Sequence, residues 1–358
     1  MLVDLDYFYA QCEEKRDPSI KEKPVVVSVY SGRTEDSGVV STANYIAREY
    51  GVRSGIPISV AKSRLREVDA VFLPVDHAFY DEMSEKVMVI LRSYADRFEE
   101  VGIDEAYLDV TERAGRDYGA ATEIARDMKG EVKAHLGLTC SIGIAPNKVV
   151  AKIAADVNKP DGLTVVKPDA MREFLNPLPV GSLIGVGKKT EDRMKAMGIG
   201  TIGDLAQIDE KTLIDTFGQK LGSYFRRAAN GIDDTPVQER GERLSVSRIS
   251  TLKEDTRDLK AISRLSDRLC DDIYSMLIER NLGFTSIAVV AITRDLAVHT
   301  KSKTLERPSD RPEILRNTAT ALLSELLDEL ELPVRRVGVR VSGLAKAETP
   351  NKRLTDFT

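Results

Sequence analysis

The chain has 358 residues, 42% of them hydrophobic and 30% charged, the make-up of a soluble globular protein too long for one ordinary core. Its three cysteines, Cys12, Cys140 and Cys270, are odd in number and lack CxxC spacing, which argues against a disulfide framework or a zinc site and suits a reducing cytoplasm. The net charge of −5 is uneven: residues 1–166 hold 21 Lys and Arg against 28 Asp and Glu, and the remainder hold 31 against 29, which leaves room for a local basic face.

Residues 2–5 read as a buried strand with an embedded Asp, which is not how a signal peptide begins, and no apolar run has transmembrane length, so no membrane partner is expected. A helix over 9–16 follows and ends at Pro18. The β-branched run Val25-Val26-Val27-Ser28-Val29 predicts an interior strand, 38–42 a further strand and 44–50 a helix. Residues 76–96 form a long amphipathic pattern with Met83, Val87, Ile90 and Leu91 on one side. Strands at 98–101 and 106–110 flank Gly102-Ile103-Asp104-Glu105 as a tight hairpin, followed by a helix near 117–135 and a strand at 138–144. Leaving out the insertion between the first helix and the hairpin, the order is βαββαβ, the ferredoxin-like split pattern, in which the first strand lies beside the hairpin.

Residues 167–230 contain no convincing strand, and their short helical segments are punctuated by glycines, which predicts a small all-α unit. A polar linker at 231–241 leads into strand 244–251, helix 258–280, strands 286–293 and 297–304, helix 312–330 and strand 334–341, a second βαββαβ unit at 242–343. The fold class is therefore α+β and multidomain, with a catalytic region at 1–166 and a tail at 344–358.

Chemistry concentrates in two acidic clusters, Val3-Asp4-Leu5-Asp6-Tyr7 and Val101-Gly102-Ile103-Asp104-Glu105, each set against apolar, β-prone residues. Acids at strand ends also serve as helix caps or face water. Buried carboxylates, however, are costly without a compensating charge, and the βαββαβ order brings these two clusters together. Asp4, Asp104 and Glu105, with the Leu5 carbonyl, are the candidate ligands for two Mg²⁺ ions, Mn²⁺ being a possible substitute.

The stretches Asp4-Leu5-Asp6-Tyr7-Phe8-Tyr9-Ala10-Gln11, Ser31-Gly32-Arg33, Thr42-Ala43-Asn44-Tyr45-x-x-Arg48, Ser54-Gly55-Ile56-Pro57, Ile103-Asp104-Glu105-Ala106-Tyr107-Leu108-Asp109 and Ser141-Ile142-Gly143-Ile144 resemble the Y-family DNA polymerases, in the archaeal form of the DinB branch. The likeness continues through Lys152-Ile153-Ala154-Ala155 and Asn158-Lys159-Pro160-Asp161-Gly162 and covers nearly the whole chain. It implies a palm with a fingers insertion at 1–166, a helix–hairpin–helix thumb at 167–230 and a DNA-binding little finger at 242–343. It also implies that Tyr45, Arg48 and Lys159, with Phe8 and Thr42, hold the incoming triphosphate, and that Tyr9 is the steric gate against ribonucleotides. Val29, Val39, Ser41 and Gly55 match the roof over the nascent base pair.

For DNA, Gly185, Gly187 and Lys188 form the candidate phosphate-binding turn before a helix. Arg243, Arg248, Arg335, Arg336 and Arg340 form the candidate basic face, which Lys301, Lys303 and Arg307 would extend. The tail Asn351-Lys352-Arg353-Leu354-Thr355-Asp356-Phe357-Thr358 resembles a sliding-clamp peptide with Asn for Gln and Thr for the second aromatic. The expected activity is low-fidelity, lesion-bypassing DNA synthesis on primer–template DNA from dNTPs, by a cytoplasmic monomer without proofreading. A nucleotidyl cyclase is the rival enzyme and a DNA- or clamp-bound scaffold the non-catalytic rival. Neither needs all of these features together.

Overall fold

In the computed structural model, which describes residues 1–239, 241 and 244–346, the first strand, β1 (Leu2–Leu5), is buried along its whole length. It is followed by α1 (Phe8–Arg16), β2 (Val25–Tyr30), β3 (Gly38–Ala43), α2 (Tyr45–Glu49), α3 (Ile58–Arg64), β4 (Val71–Pro74) and α4 (His77–Ser93). Next come β5 (Arg97–Glu100), β6 (Glu105–Asp109), α5 (Tyr118–Leu136), β7 (Cys140–Ile144), α6 (Lys148–Val157) and β8 (Leu163–Val165). The described residues fall into two compact units. One is built from Met1–Ser28, Val40–Ile56 and the stretch from Val60 into the linker, the other from Val29–Val39, Pro57–Ser59 and the stretch after the linker.

The first unit is organised around a five-stranded sheet of order β5-β6-β1-β7-β8. β1 is antiparallel to both β6 and β7, so the order β5-β6-β1-β7 is the ferredoxin-like arrangement expected from the sequence. The edge strand β8, parallel to β7, and helix α6 were not foreseen, and neither were α3 and β4. β8 is three residues long and offers too little periodicity to read. Helices α4 and α5 cover the sheet with Met83, Val87 and Leu91 and with Ala125, Met128 and Val132, all in one core with Val3, Leu108 and Ile142. β2 and β4 run parallel in a separate sheet of order β3-β2-β4.

The all-α segment holds α7 (Met171–Leu175), α8 (Lys188–Ala196), α9 (Ile202–Gln207), α10 (Glu210–Phe217) and α11 (Gln219–Ala229). Its core also takes in Val149, Val150, Ile153 and Ala154 of α6, so this helix is apolar on two sides and packs against two layers. Gly143 makes the closeness of α6 to β7 possible, because a Cβ there would lie 2.0 Å from the Ala151 carbonyl oxygen. Residues 232–239, at the start of the linker, form no helix or strand, yet they are not free of the first unit. Asn147 donates to the Gly231 carbonyl at 2.7 Å and Lys148 to that of Pro236 at 3.3 Å.

The second unit contains β9 (Ser245–Thr256), α12 (Leu259–Glu279), β10 (Leu282–Thr293), β11 (Val298–Ser309), α13 (Pro312–Glu329), β12 (Val334–Ser342) and the short β13 (Ala345–Lys346). The element order is again βαββαβ, but the strands lie β11-β10-β12-β9, unlike those of the first sheet. Ile287, Val289 and Ala291 alternate inward opposite Val341, Val339 and Val337 to form the core beneath α12 and α13.

Leu108 is fully buried in the centre of the first sheet. Leu108→Ala is expected to lower stability by about 2–5 kcal/mol, read as a lower urea midpoint for the first unit. An unchanged midpoint would mean that this sheet does not carry the core.

Candidate active site

The pairing of β1 with β6 sets Asp4 directly opposite Glu105, and the Leu5 amide donates to the Asp104 carbonyl at 2.8 Å. Three carboxylates from the two predicted clusters thus gather at one end of two neighbouring strands. Asp4 is only 7% exposed. Burial pushes the Asp104 carboxyl above the usual carboxylate range, and the nearby charges of Asp4 and Glu105 push it further.

Two lysines answer this charge. Lys152 on α6 reaches Asp4 Oδ2 at 2.7 Å and also pairs with Glu105. Lys159 reaches Asp4 Oδ1 at 2.8 Å and Asp156 at 2.7 Å. Burial lowers the basicity of both ammonium groups, but the carboxylates around them together outweigh it, Asp4, Glu105 and Asp156 for Lys152 and Asp4 and Asp156 for Lys159, and hold both above the ordinary lysine value. Among the described residues, no group of three or more His, Cys, Asp or Glu closes into a ready-made metal cage. The donor set nonetheless suits a hard divalent cation, since it is all oxygen, three carboxylates and the Leu5 carbonyl, and already draws two positive side chains into the same space.

Lys152 belongs to one of the quoted motifs, but sequence reasoning gave it no role. The available signal was a single cation within an otherwise apolar stretch, Val149 to Ala155, where a charge needs a partner.

The nucleotide candidates lie in the same unit. Asn44 caps α2 by accepting from the Ala47 amide at 3.0 Å, which fixes the start of the helix that carries Tyr45 and Arg48. Arg48 stacks over the Tyr45 ring at 4.7 Å and donates to the Ala43 carbonyl at 2.9 Å. Burial raises the Tyr45 phenol, and Arg48, Asp6 and Lys159 all act on it electrically, which ties α2 to the carboxylate end of β1. Thr42 is half-buried. Phe8 is 3% exposed, so its ring belongs to the core and only its main chain, at the first turn of α1, can face a ligand.

Tyr9 stacks on Tyr80 with centroids 4.1 Å apart and planes 13° from parallel. The Tyr80 hydroxyl in turn donates to Glu13 at 2.7 Å. Burial and the Asp104 charge both raise the Tyr9 phenol, so the ring sits within electrostatic reach of the carboxylates. Sequence reasoning did not foresee this support by Tyr80. Of the roof candidates, Val29, Val39 and Gly55 are exposed and Ser41 is half-buried. Gly55 has φ +88°, and a Cβ there would meet nothing within 4 Å.

In the all-α segment Gly185 adopts φ +86° and Gly187 is the residue before α8, so the turn leaves the first amides of that helix free. Lys188 is largely exposed and pairs with Asp192 at 2.8 Å.

The second sheet separates the basic residues that the sequence had grouped. Arg336 and Arg340 project from the face away from the helices, opposite Thr251 and Ser247. Arg248 lies opposite the core residue Val339, on the helix-covered side, where it contacts the Met276 sulfur of α12. Lys301 and Lys303 likewise fall on that side, opposite Val289 and Ile287, and Lys301 pairs with Glu325 and Glu329 of α13. They therefore do not extend the face of Arg336 and Arg340. The reason is the two-residue alternation of a strand, which residue type alone does not reveal until the register is known. Arg335 is half-buried and lies 4.0 Å from Asp255. Arg307 is exposed. Arg243 and the tail 351–358 lie outside the described residues. Among the described residues no helix is long and apolar enough to cross a membrane.

Removing the Lys152 charge would leave the carboxylates with one ammonium in place of two. Lys152→Met is expected to cost about 1–3 kcal/mol of stability in metal-free buffer, with part of the loss recovered on adding Mg²⁺. A thermal melt with and without the ion measures both, and a variant as stable as wild type without metal would contradict the charge balance described here.

Comparison with known proteins agrees with this geometry. The model of the impB/mucB/samB family matches residues 3–156, its C-terminal-domain model matches 243–354, and the model of the DNA polymerase-iota thumb domain matches 181–233. A DNA polymerase IV of Nitrosopumilus maritimus is 46% identical over 97% of this chain and 95% of its own length. One from Metallosphaera sedula is 42% identical over 100% of this chain and 99% of its own. Among solved structures, a Y-family DNA polymerase chimera of Dbh and Dpo4 superposes with a TM-score of 0.90 at 36% identity, covering 96% of this chain and 98% of that one. The insertion ternary complex of Dbh DNA polymerase gives a TM-score of 0.69 at 35% identity, over 95% and 97%. The chain belongs to the Y-family of DNA polymerases, alongside the DNA polymerase IV proteins.

Proposed function

We propose that this chain is a template-directed, low-fidelity DNA polymerase that extends primers across damaged templates, without a proofreading exonuclease. The observation that carries the reading is the meeting of Asp4, Asp104 and Glu105 at one end of β1 and β6 with Lys159 beside them. The relatives are DNA polymerases, and the Dbh complex is described as an insertion ternary complex.

In the reaction the primer 3′-hydroxyl attacks the α-phosphorus of the dNTP, the bond to the β-phosphate oxygen breaks, and pyrophosphate leaves. Asp4, Asp104, Glu105 and the Leu5 carbonyl would hold two Mg²⁺ ions, or Mn²⁺ in their place. When bound, the metal lowers the pKa of the attacking hydroxyl and neutralises phosphate charge. Glu105 also helps to align the primer hydroxyl. Lys159, Arg48 and the Tyr45 hydroxyl pair with triphosphate oxygens, and Thr42 and the Phe8 main chain complete the cradle. Lys159 already sits on Asp4 in the protein alone, so nucleotide entry requires it to exchange a carboxylate for a phosphate. Tyr9, braced by Tyr80, fills the space that a ribose 2′-hydroxyl would occupy. The small or exposed residues Val29, Val39, Ser41 and Gly55 roof the new base pair.

We assign palm and fingers to 1–166, thumb to 167–230, linker to 231–241, little finger to 242–343 and a tail to 344–358, of which Ala345–Lys346 pair with β10 as β13 and 351–358 are the clamp-like peptide. The free amides after Gly185 and Gly187, with Lys188, take one stretch of duplex backbone. Arg336 and Arg340 grip another, and Arg335 and Arg243 are assigned to the same backbone. Arg248 leaves this group, because it lies on the opposite, helix-covered side of the sheet against α12. The enzyme works as a cytoplasmic monomer, recruited to a sliding clamp through residues 351–358.

Primer extension with dNTPs and Mg²⁺ tests the reading. Asp104→Ala is expected to lower the rate by about 10³-fold or more. Full activity in that variant would remove the metal assignment, and no extension by the wild-type protein would remove the polymerase. Tyr9→Ala should raise ribonucleotide incorporation, and unchanged sugar selectivity would defeat the gate. Arg336→Ala should lower the slope of log affinity for primer–template against log salt by about 1, with no change in sequence preference. An unaltered slope would place Arg336 away from the DNA.

A further inference from the structure

The second carboxylate of the Asp4-Leu5-Asp6 stretch is 1% exposed and fully engaged. Its Oδ1 accepts from the Ser141 hydroxyl at 2.7 Å, and its Oδ2 accepts from the Thr139 hydroxyl at 2.8 Å and from the Asp161 amide at 2.8 Å. Three donors therefore offset the buried charge, where Asp4 relies on two ammonium groups. A metal ion could take Asp6 only by breaking bonds that a buried carboxylate needs.

The Asp161 bond is the informative one, because it ties β1 to the turn that follows α6. That turn runs from Asn158 to Gly162 and carries Lys159. It is held from several sides at once. The Ser141 hydroxyl accepts from the Gly162 amide at 3.1 Å, so Asp6 and Ser141 together bind two successive amides of the turn. From the other side, Lys129 of α5 pairs with the Asp161 carboxylate at 2.7 Å and donates to the Gly162 carbonyl at 3.1 Å. Asp161 itself has φ +55°, a left-handed backbone that Asp tolerates better than most side chains. A Cβ at position 162 would lie 2.2 Å from the Asn158 carbonyl oxygen, so the turn closes too tightly for any residue but glycine.

We propose that Asp6 is a positioning residue for the incoming nucleotide: by anchoring the Asp161 amide it fixes the 158–162 turn and holds Lys159 where a triphosphate can reach it. Asp6 touches neither metal nor phosphate in this account. The inference rests on the assignment of Lys159 to the triphosphate. It differs from a purely structural role in what it affects, namely dNTP affinity, with metal demand and DNA affinity left alone.

The test is steady-state single-nucleotide insertion by the full chain on a primer–template, with dNTP and Mg²⁺ titrated separately. Asp6→Asn should raise KM for dNTP about 5–20-fold, with kcat, the Mg²⁺ concentration at half-maximal rate and primer–template Kd close to wild type. Lys129→Met, which loosens the same turn from the opposite side, should give the same signature. In a Lys159→Ala background both effects on KM should vanish, because the turn then presents nothing. A shift in Mg²⁺ demand on Asp6→Asn, or a KM effect that persists in full without Lys159, would overturn the positioning role while leaving the triphosphate assignment standing. If Lys159→Ala alone leaves KM at the wild-type value, that assignment falls and this inference falls with it. If Asp6→Asn does not unfold cooperatively, Lys129→Met alone and in the Lys159→Ala background decides by the same criteria.

Discussion

The need to compensate buried negative charge governs the first unit. Asp4 and Glu105 stand on hydrogen-bonded neighbouring strands with Asp104 just before the second, where loss of water and then the charges of Asp4 and Glu105 raise Asp104 above the usual carboxylate range. A stable fold cannot leave them so, and Lys152 and Lys159 supply the opposing charge. Their placement depends in turn on α6, which approaches β7 closely enough for Lys152 to reach both Asp4 and Glu105 because position 143 has no side chain. A glycine in a strand, a small-residue helix face and a pair of ion bridges are thus consequences of one electrostatic demand.

That demand also explains why the site is prepared for its proposed substrates. The ammonium groups on Asp4 occupy the role that metal ions and a triphosphate would take over, so the carboxylates are held in register before either arrives. Binding then becomes an exchange of partners at fixed positions. A flexible cluster would have to be ordered first, at an entropic cost that this arrangement has already met during folding.

Much of this was legible in the residues themselves. The βαββαβ order, the hairpin around Asp104 and the meeting of the two acidic clusters follow from periodicity and topology, and the sheet order β5-β6-β1-β7 bears them out. What escaped was whatever depends on register or on contacts far apart in sequence. β8 is too short for a pattern. Tyr80 braces Tyr9 from 71 positions away, a relation that no local signal carries. Arg248 and Lys301 looked like companions of Arg336 and Arg340, yet strand alternation turns them to the helix-covered side. In a sheet, one residue of register decides whether an arginine meets solvent or a helix, and composition cannot supply that residue.

The same limit applies to the two acids that open the chain. Asp4 and Asp6 are identical in type, two positions apart and both buried, and an Asp-x-Asp pattern alone invites one role for both. Their surroundings divide them. Asp4 is balanced by two ammonium groups at the ends of long lysine side chains, so its oxygens can exchange these partners for others. Asp6 is balanced by two hydroxyls and a main-chain amide, short donors fixed to β7, the residue before it and the 158–162 turn. A carboxylate compensated by exchangeable charge is suited to bind ligands, whereas one saturated by fixed donors is suited to hold backbone. Because the amide it holds belongs to the Lys159 turn, the structural acid still acts on the reaction, one step removed from the acid that would bind the metal.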